Sequence, residues 1–185
     1  MNAPDMIGSA RLAALIVVAG LLLAGVALRG QDEKGLRAPN SIAFSEFKGY
    51  EKWQVVAVSR TDHGIKAILA NPKMIKAYGD GVPEGGKAFP EGSVIVKVEW
   101  NKDTNPVSPY PVEVPTVLKS ISFIEKDYKR FPETSGWGYA QFLYDSGTRR
   151  FTAFGSDSSF GRTVCYKCHT TVSARDYIFT KYAFR

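Results

Sequence analysis

From Trp53 onward, apolar positions alternate with polar ones at a spacing of two, and clusters of Gly, Pro, Asn and Asp separate the alternating runs. That period belongs to strands whose two faces meet different surroundings. It predicts strands at Trp53 to Ser59, Ser93 to Trp100, Lys119 to Lys126 and Trp137 to Tyr144, with a weaker one at Gly64 to Leu69. The segments between them are turn-rich rather than the crossover helices that parallel neighbours need, so the pairing is expected to be antiparallel. Helix signals are fewer. Asn71 followed by Pro72 reads as a cap and first helical residue for a short helix through Tyr78, and Ser173 with Asp176 has capping-box spacing ahead of Tyr177, Ile178 and Phe179. The expected fold class is therefore α+β, an antiparallel β-sheet with a few helices.

One run departs from this pattern. Leu12 to Leu28 is seventeen uncharged, almost wholly apolar residues between Arg11 and Arg29, with the small residues Gly25 and Ala27 near its end. It reads as a signal peptide or a membrane anchor, slightly short for a spanning helix. The expected organisation is a leader over residues 1–28, a polar linker over 29–48 carrying Gly35 and Pro39, and a functional domain over 49–185 placed outside the cytoplasm, in the periplasm. With 185 residues, 44% hydrophobic, the chain has enough apolar material for one folded domain, which excludes wholesale disorder. Its net charge of +6 is scattered, with no Lys/Arg block longer than two residues, so no nucleic-acid partner is expected.

Two strands carry further information. On Trp137 to Tyr144, Gly136, Gly138 and Ala140 fall on one face while Trp137, Tyr139 and Leu143 fall on the other. A bare strand face admits close approach by a flat ligand or another backbone, or by a helix packed on the sheet. On Ser93 to Trp100, Val94, Val96, Val98 and Trp100 oppose Ser93, Ile95, Lys97 and Glu99. The valine face reads as core and Lys97 as pointing to water, but Ile95 on the lysine face implies that this face is partly covered as well.

The chemistry is concentrated in Cys165-Tyr166-Lys167-Cys168-His169. C-x-x-C-H is the attachment motif of c-type haem: each thiol adds to a vinyl group of the ring and the adjacent imidazole reaches the iron. Zinc normally takes four ligands, and the only other Cys or His in the chain is His63. A thioredoxin-like redox pair would sit near a βαβ pattern, which is missing here. The expected cofactor is haem c, with Cys165, Cys168 and His169 binding it and His169 as the metal ligand. Neither available sixth ligand has a favourable context, since His63 lies in a polar turn and Met74 on the short helix among core-type positions, so a five-coordinate iron is expected.

The order of Phe89-Pro90-Glu91-Gly92-Ser93-Val94-Ile95-Val96-Lys97, then Trp137-Gly138-Tyr139-Ala140, then the haem motif followed by Phe179-Thr180 resembles the cytochrome P-460 family from about Gly49 to Arg185. The resemblance implies an antiparallel sheet with helices, a five-coordinate haem c, a homodimer, and oxidation of hydroxylamine to nitrogen oxides in the periplasm. It also implies a covalent bond between a strand lysine and the porphyrin rim, and Lys97 matches that position, as catalytic and cofactor-binding residue. A sister group, cytochrome c′-beta, shares the fold, lacks the cross-link and binds nitric oxide or carbon monoxide. A simple electron-transfer cytochrome is the third reading. Expected partners are a small nitrogen-containing ligand or substrate and a soluble cytochrome as electron acceptor. Phe89, Phe123 and Phe160 are candidates for the pocket lining, with ordinary core as their plainer role. Lys66 lies roughly where relatives carry a basic pocket residue, and exposure on a surface strand is its plainer reading.

Overall fold

A computed structural model describes residues 35–183; the expected leader over 1–28 and the first part of the linker lie outside the described residues. Among the described residues, six strands form one sheet in sequence order, each antiparallel to the next: β1 Gln54–Thr61, β2 Gly64–Ala70, β3 Val94–Thr104, β4 Glu113–Lys126, β5 Trp137–Asp145 and β6 Arg150–Phe154. The α+β expectation holds, with all five anticipated strands present. The sixth, β6, pairs with β5 from Gln141↔Phe154 to Asp145↔Arg150. Its short sequence gave too few alternations to stand out. Strands β3 and β4 also continue past the expected ends, pairing as far as Thr104↔Glu113.

Helix α1, Pro72–Gly79, begins as expected. The Asn71 side chain accepts from Met74 N at 3.0 Å and Pro72 sits in the first turn, where it has no intrahelical hydrogen bond to lose. The second expected helix is displaced. Helical turns run upstream, from a π turn at Gly161–Tyr166 through a short α-helical turn, α2 Lys167–His169, into a 3₁₀ segment at Thr170–Arg175. Asp176 ends this segment in left-handed conformation, and Tyr177 to Phe179 are not helical. The capping-box reading fails because the Asp176 carboxylate is engaged elsewhere in the core, as described below.

Both faces of the sheet are covered. On one, Val94, Val96, Val98, Ile121, Phe123, Ala140 and Phe142 pack against Ala38, Ile42, Phe44 and Phe47. This corrects the linker expectation: from Leu36 the chain lies on the sheet, closed by an Arg37↔Ala43 bridge and a 3₁₀ turn at Phe44–Phe47. The polar residues of that segment concealed Ile42, Phe44 and Phe47, which lack a regular period because the segment is neither a long helix nor a strand. On the opposite face, Ile68, Ala70, Ile95, Trp137 and Tyr139 pack against Met74, Ala77 and Tyr78 of α1 and against Phe89 and Ile178. A bulge in β1 between Val55 and Ala57 inserts Val56 into this second cluster while Val55 stays with the first.

The glycine-bearing face of β5 meets side chains of the protein itself. A Cβ at Gly138 would overlap the Phe131 ring, so the missing side chain lets Phe131 reach the sheet. The alternative of a flat ligand on that face is thereby corrected, and the cavity described next lies on the Trp137, Tyr139 and Gln141 side.

Candidate functional site

Strand register sets the floor of the site. Lys97 of β3 is paired with Ile68 of β2 and Ser122 of β4, and Ser122 with Gln141 of β5, so these four side chains form a row across one face. One step along, Ala70, Ile95, Ile124 and Tyr139 make a parallel, more apolar row. The helical turns that carry the C-x-x-C-H motif lie over this floor. Gly161 is buried where a Cβ would come within 3.3 Å of the Tyr139 carbonyl oxygen, so glycine permits the close approach of helix to strand.

Between floor and helical turns is a cavity of about 650 Å³, lined by Ile68, Ile95, Lys97, Ser122, Ile124, Tyr139, Gln141, Val164, Cys165, Cys168, His169 and the stretch Ile178 to Lys181. That volume lies within the range of pockets that hold cofactors and drug-sized ligands. All four residues singled out in the sequence, Lys97, Cys165, Cys168 and His169, are brought together here. Lys66 lines the cavity as well, against the expectation of a plain surface position, because its neighbour in register is Glu99 on the Lys97 face. Phe89 is core beneath α1, and Phe160 packs edge-on to Phe154. Phe123 borders the cavity while its ring stacks on Phe47 in the opposite core, at 4.0 Å between centroids.

The His169 ring lies between Tyr139 and Phe179, with centroid separations of 5.0 and 4.9 Å. Its Nδ1 is 2.6 Å from the Tyr177 carbonyl oxygen. A carbonyl only accepts, so Nδ1 carries the proton and donates, which leaves the lone pair on Nε2. Burial holds the imidazole pKa below its ordinary value; the bond to the Tyr177 carbonyl opposes this and nearby Lys97 adds to it. The ring is therefore a neutral nitrogen donor at pH 7.

Lys97 has a side chain 37% exposed and an ammonium 3.8 Å from Glu99 Oε2. Burial lowers its pKa, Glu99 works against that, and Lys66 reinforces it. Cys165 is a free thiol whose pKa burial raises, partly offset by Lys97, and Cys168 is free and exposed. His63 stands in the exposed β1–β2 turn and Met74 is fully buried on the inner side of α1; neither lines the cavity. Among the described residues, no three His, Cys, Asp or Glu side chains converge as a metal cluster would require.

Sequence reasoning missed Tyr139, Phe179, Ser122 and Gln141 as site residues. The first two are aromatic in a chain rich in aromatics, and the others are identified only by which strand pairs with which. The backbone carbonyl of Tyr177 leaves no mark on the sequence at all.

Residues 47–180 match the family model of Cytochrome P460, and the chain belongs to that family. It is thus a cytochrome with haem iron as its cofactor. Among curated proteins no relative matches it. The donor set fits such a group. Two thiols three positions apart sit beside a neutral imidazole with a free lone pair. The cavity above the sheet is largely apolar, and the Tyr139 and Ser122 hydroxyls that border it are buried without a partner among the described residues.

Proposed function

We propose that the protein is an exported haem c enzyme that oxidises hydroxylamine, or a similar small nitrogen compound, to nitrogen oxides at a five-coordinate iron. In this reading His169 holds the iron through Nε2, Cys165 and Cys168 are joined to the ring by thioethers, and Lys97 is bonded to the ring edge. The observation that carries it is that Lys97, far from the motif in sequence, lines the same cavity as Cys165, Cys168 and His169.

When bound, the haem supplies the redox centre that withdraws electrons from the nitrogen substrate. The chain's own residues prepare it. Cys165 and Cys168 lie one helical turn apart and therefore present their sulfurs along one edge of the cavity. His169 enters in the tautomer that ligation requires. Attachment of Lys97 would replace one N–H of its neutral amine and one C–H of the ring edge by a C–N bond, with two protons released to solvent and two electrons taken by an oxidant of the peroxide class. An exposed lysine with a pKa of ~10.4 is almost wholly protonated at pH 7. Burial against the cavity wall lowers that pKa and so increases the share of neutral amine. Ile68, Ile95, Ile124 and Phe179 keep the surroundings apolar. Export follows from the leader-like segment, because thioether attachment takes place outside the cytoplasm, and a soluble cytochrome is the electron acceptor.

A second reading, a gas-binding protein of the cytochrome c′-beta type, draws support from Glu99, whose carboxylate faces the Lys97 ammonium and favours its charged, unreactive form. Hydroxylamine turnover by the purified holoprotein, measured with the absorption spectrum of its reduced form, separates the two. The enzyme reading predicts turnover and a red-shifted reduced band. Both are lost in Lys97→Ala, which keeps its haem through the two thioethers. Nitric oxide binding without turnover, with a spectrum unmoved by Lys97→Ala, supports the gas-binding reading instead.

A further inference from the structure

Asp176 and Tyr177 are successive residues with left-handed backbone, at φ 50 and φ 64, and neither is glycine. Side chains disfavour that region because Cβ crowds the following carbonyl oxygen. Here the turn delivers the Tyr177 carbonyl to His169 Nδ1 at 2.6 Å. Something beyond the loop must hold it. The Asp176 carboxylate is that anchor: Oδ1 accepts from Lys126 Nζ at 2.7 Å and Trp137 Nε1 at 3.2 Å, and Oδ2 accepts from Lys126 Nζ at 2.9 Å and Phe89 N at 2.8 Å. The side chains of Lys126 and Asp176 are 1% and 8% exposed. Lys126 ends β4, Trp137 begins β5 directly opposite it, and the Lys126 ammonium also lies 4.5 Å from the centre of the Trp137 ring. Three separate stretches of chain thus converge on one carboxylate.

Core stability alone gives little reason for such a pair, since a well-packed apolar replacement of a buried ion pair is often neutral or stabilising. A carboxylate gripped by donors from three directions does something that apolar packing does poorly: it fixes the position and the angle of the backbone that bears it. We propose that the buried Lys126–Asp176 pair is a positioning device for His169. By locking Asp176 in its left-handed conformation it aims the Tyr177 carbonyl at Nδ1, and so sets the tautomer and orientation with which Nε2 faces the cavity. This rests on the reading of His169 as the haem iron's ligand. The hydrogen bond at one ring nitrogen of a ligating histidine tunes the donor strength of the other. Lys126 also neutralises the carboxylate, so that the near partner of His169 is a carbonyl dipole without a bare charge one residue away.

The test is the iron–histidine stretching band of the ferrous holoprotein by resonance Raman, together with the midpoint potential, in Lys126→Met, Asp176→Asn and the milder Trp137→Phe. Phe142→Leu, a cavity-forming change on the opposite face of the sheet, serves as a stability control, with thermal unfolding measured for all four. The band is expected to shift and broaden and the potential to move in Lys126→Met and Asp176→Asn. A smaller displacement in the same direction is expected in Trp137→Phe, which removes one donor and keeps this test available should the other two fail to fold. Phe142→Leu should lower the unfolding temperature and leave band and potential in place. If the ion-pair variants behave like Phe142→Leu, or if Trp137→Phe moves neither quantity when it alone folds, the pair is a core element only and the proposal is overturned. A wild-type protein with no iron–histidine band would overturn instead the assignment of His169 on which the proposal stands.

Discussion

The two faces of the sheet are built from the same six strands and solve opposite problems. The valine face is closed by the chain's own aromatic side chains: Phe44 meets Phe123 and Phe142 edge-on and Phe47 stacks on Phe123. The lysine face is closed the same way only at one end, by α1, Phe89 and Ile178. At the other end it keeps a cavity with Lys97, Ser122, Gln141 and the C-x-x-C-H motif on its walls. Both faces bury a core, but only the second keeps open space beside it. The difference lies in alternate residues of the same strands, so single substitutions one position apart should have effects of different kinds.

The largest contrast is expected between neighbours on β4. Phe123→Ala should cost about 3–5 kcal/mol by urea unfolding, the range for deleting a buried aromatic. Ser122→Ala, on the cavity side and without a hydrogen-bond partner to strand, should stay within about 0.5 kcal/mol. Equal costs would break the distinction between the faces. Gly138→Ala on the filled face should cost about 1–3 kcal/mol because its Cβ overlaps Phe131. Combined with Phe131→Ala it should cost less than the sum of the two single changes, since the clash has then lost its partner.

A smaller effect concerns Glu125, which lies on the filled face with Arg130 at 2.8 Å. Burial raises its pKa to about 7, reinforced by Glu46 and Asp127 and opposed by Arg130. A carboxyl whose folded pKa exceeds its unfolded one binds a proton more tightly in the folded state, so its contribution is largest below about pH 4.5 and is lost as pH rises through about 7. The stability of wild type relative to Glu125→Gln should therefore fall between pH 5 and pH 8 by an amount on the order of 1–2 kcal/mol. A pH-independent difference would place the charge of Glu125 outside the core's energetics.

Period-two patterning was enough to locate five strands and to assign Val94, Val96 and Val98 to core, because each side of β3 meets a different surrounding. Ile95 correctly signalled a covered lysine face. The glycine-bearing face of β5 leaves a flat ligand, another backbone or a helix open as its neighbour, since a strand records that something comes close and leaves its identity unstated; here it is Phe131. Leu36 to Phe47 falls within the 29–48 stretch that reads as linker in sequence, because it joins the core through irregular backbone. At the site, Cys165, Cys168 and His169 are legible because the C-x-x-C-H motif is contiguous in sequence. Lys66, Ser122 and Gln141 are brought beside Lys97 by strand register, which is non-local. Asp176 carried a helix-cap pattern, and only the three-dimensional approach of Lys126, Trp137 and Phe89 shows where its carboxylate goes.

The central claim is that one haem is held from both sides of the cavity, by the motif above and by Lys97 on the sheet. Proteolysis of the purified holoprotein followed by mass spectrometry of the haem-bearing fragment tests it most directly. A haem held from both sides yields a single haem fragment that contains the Cys165 to His169 segment and retains the Lys97 peptide through a covalent bond. A haem fragment containing the motif alone, with the Lys97 peptide recovered intact and in full yield, would contradict the cross-linked enzyme.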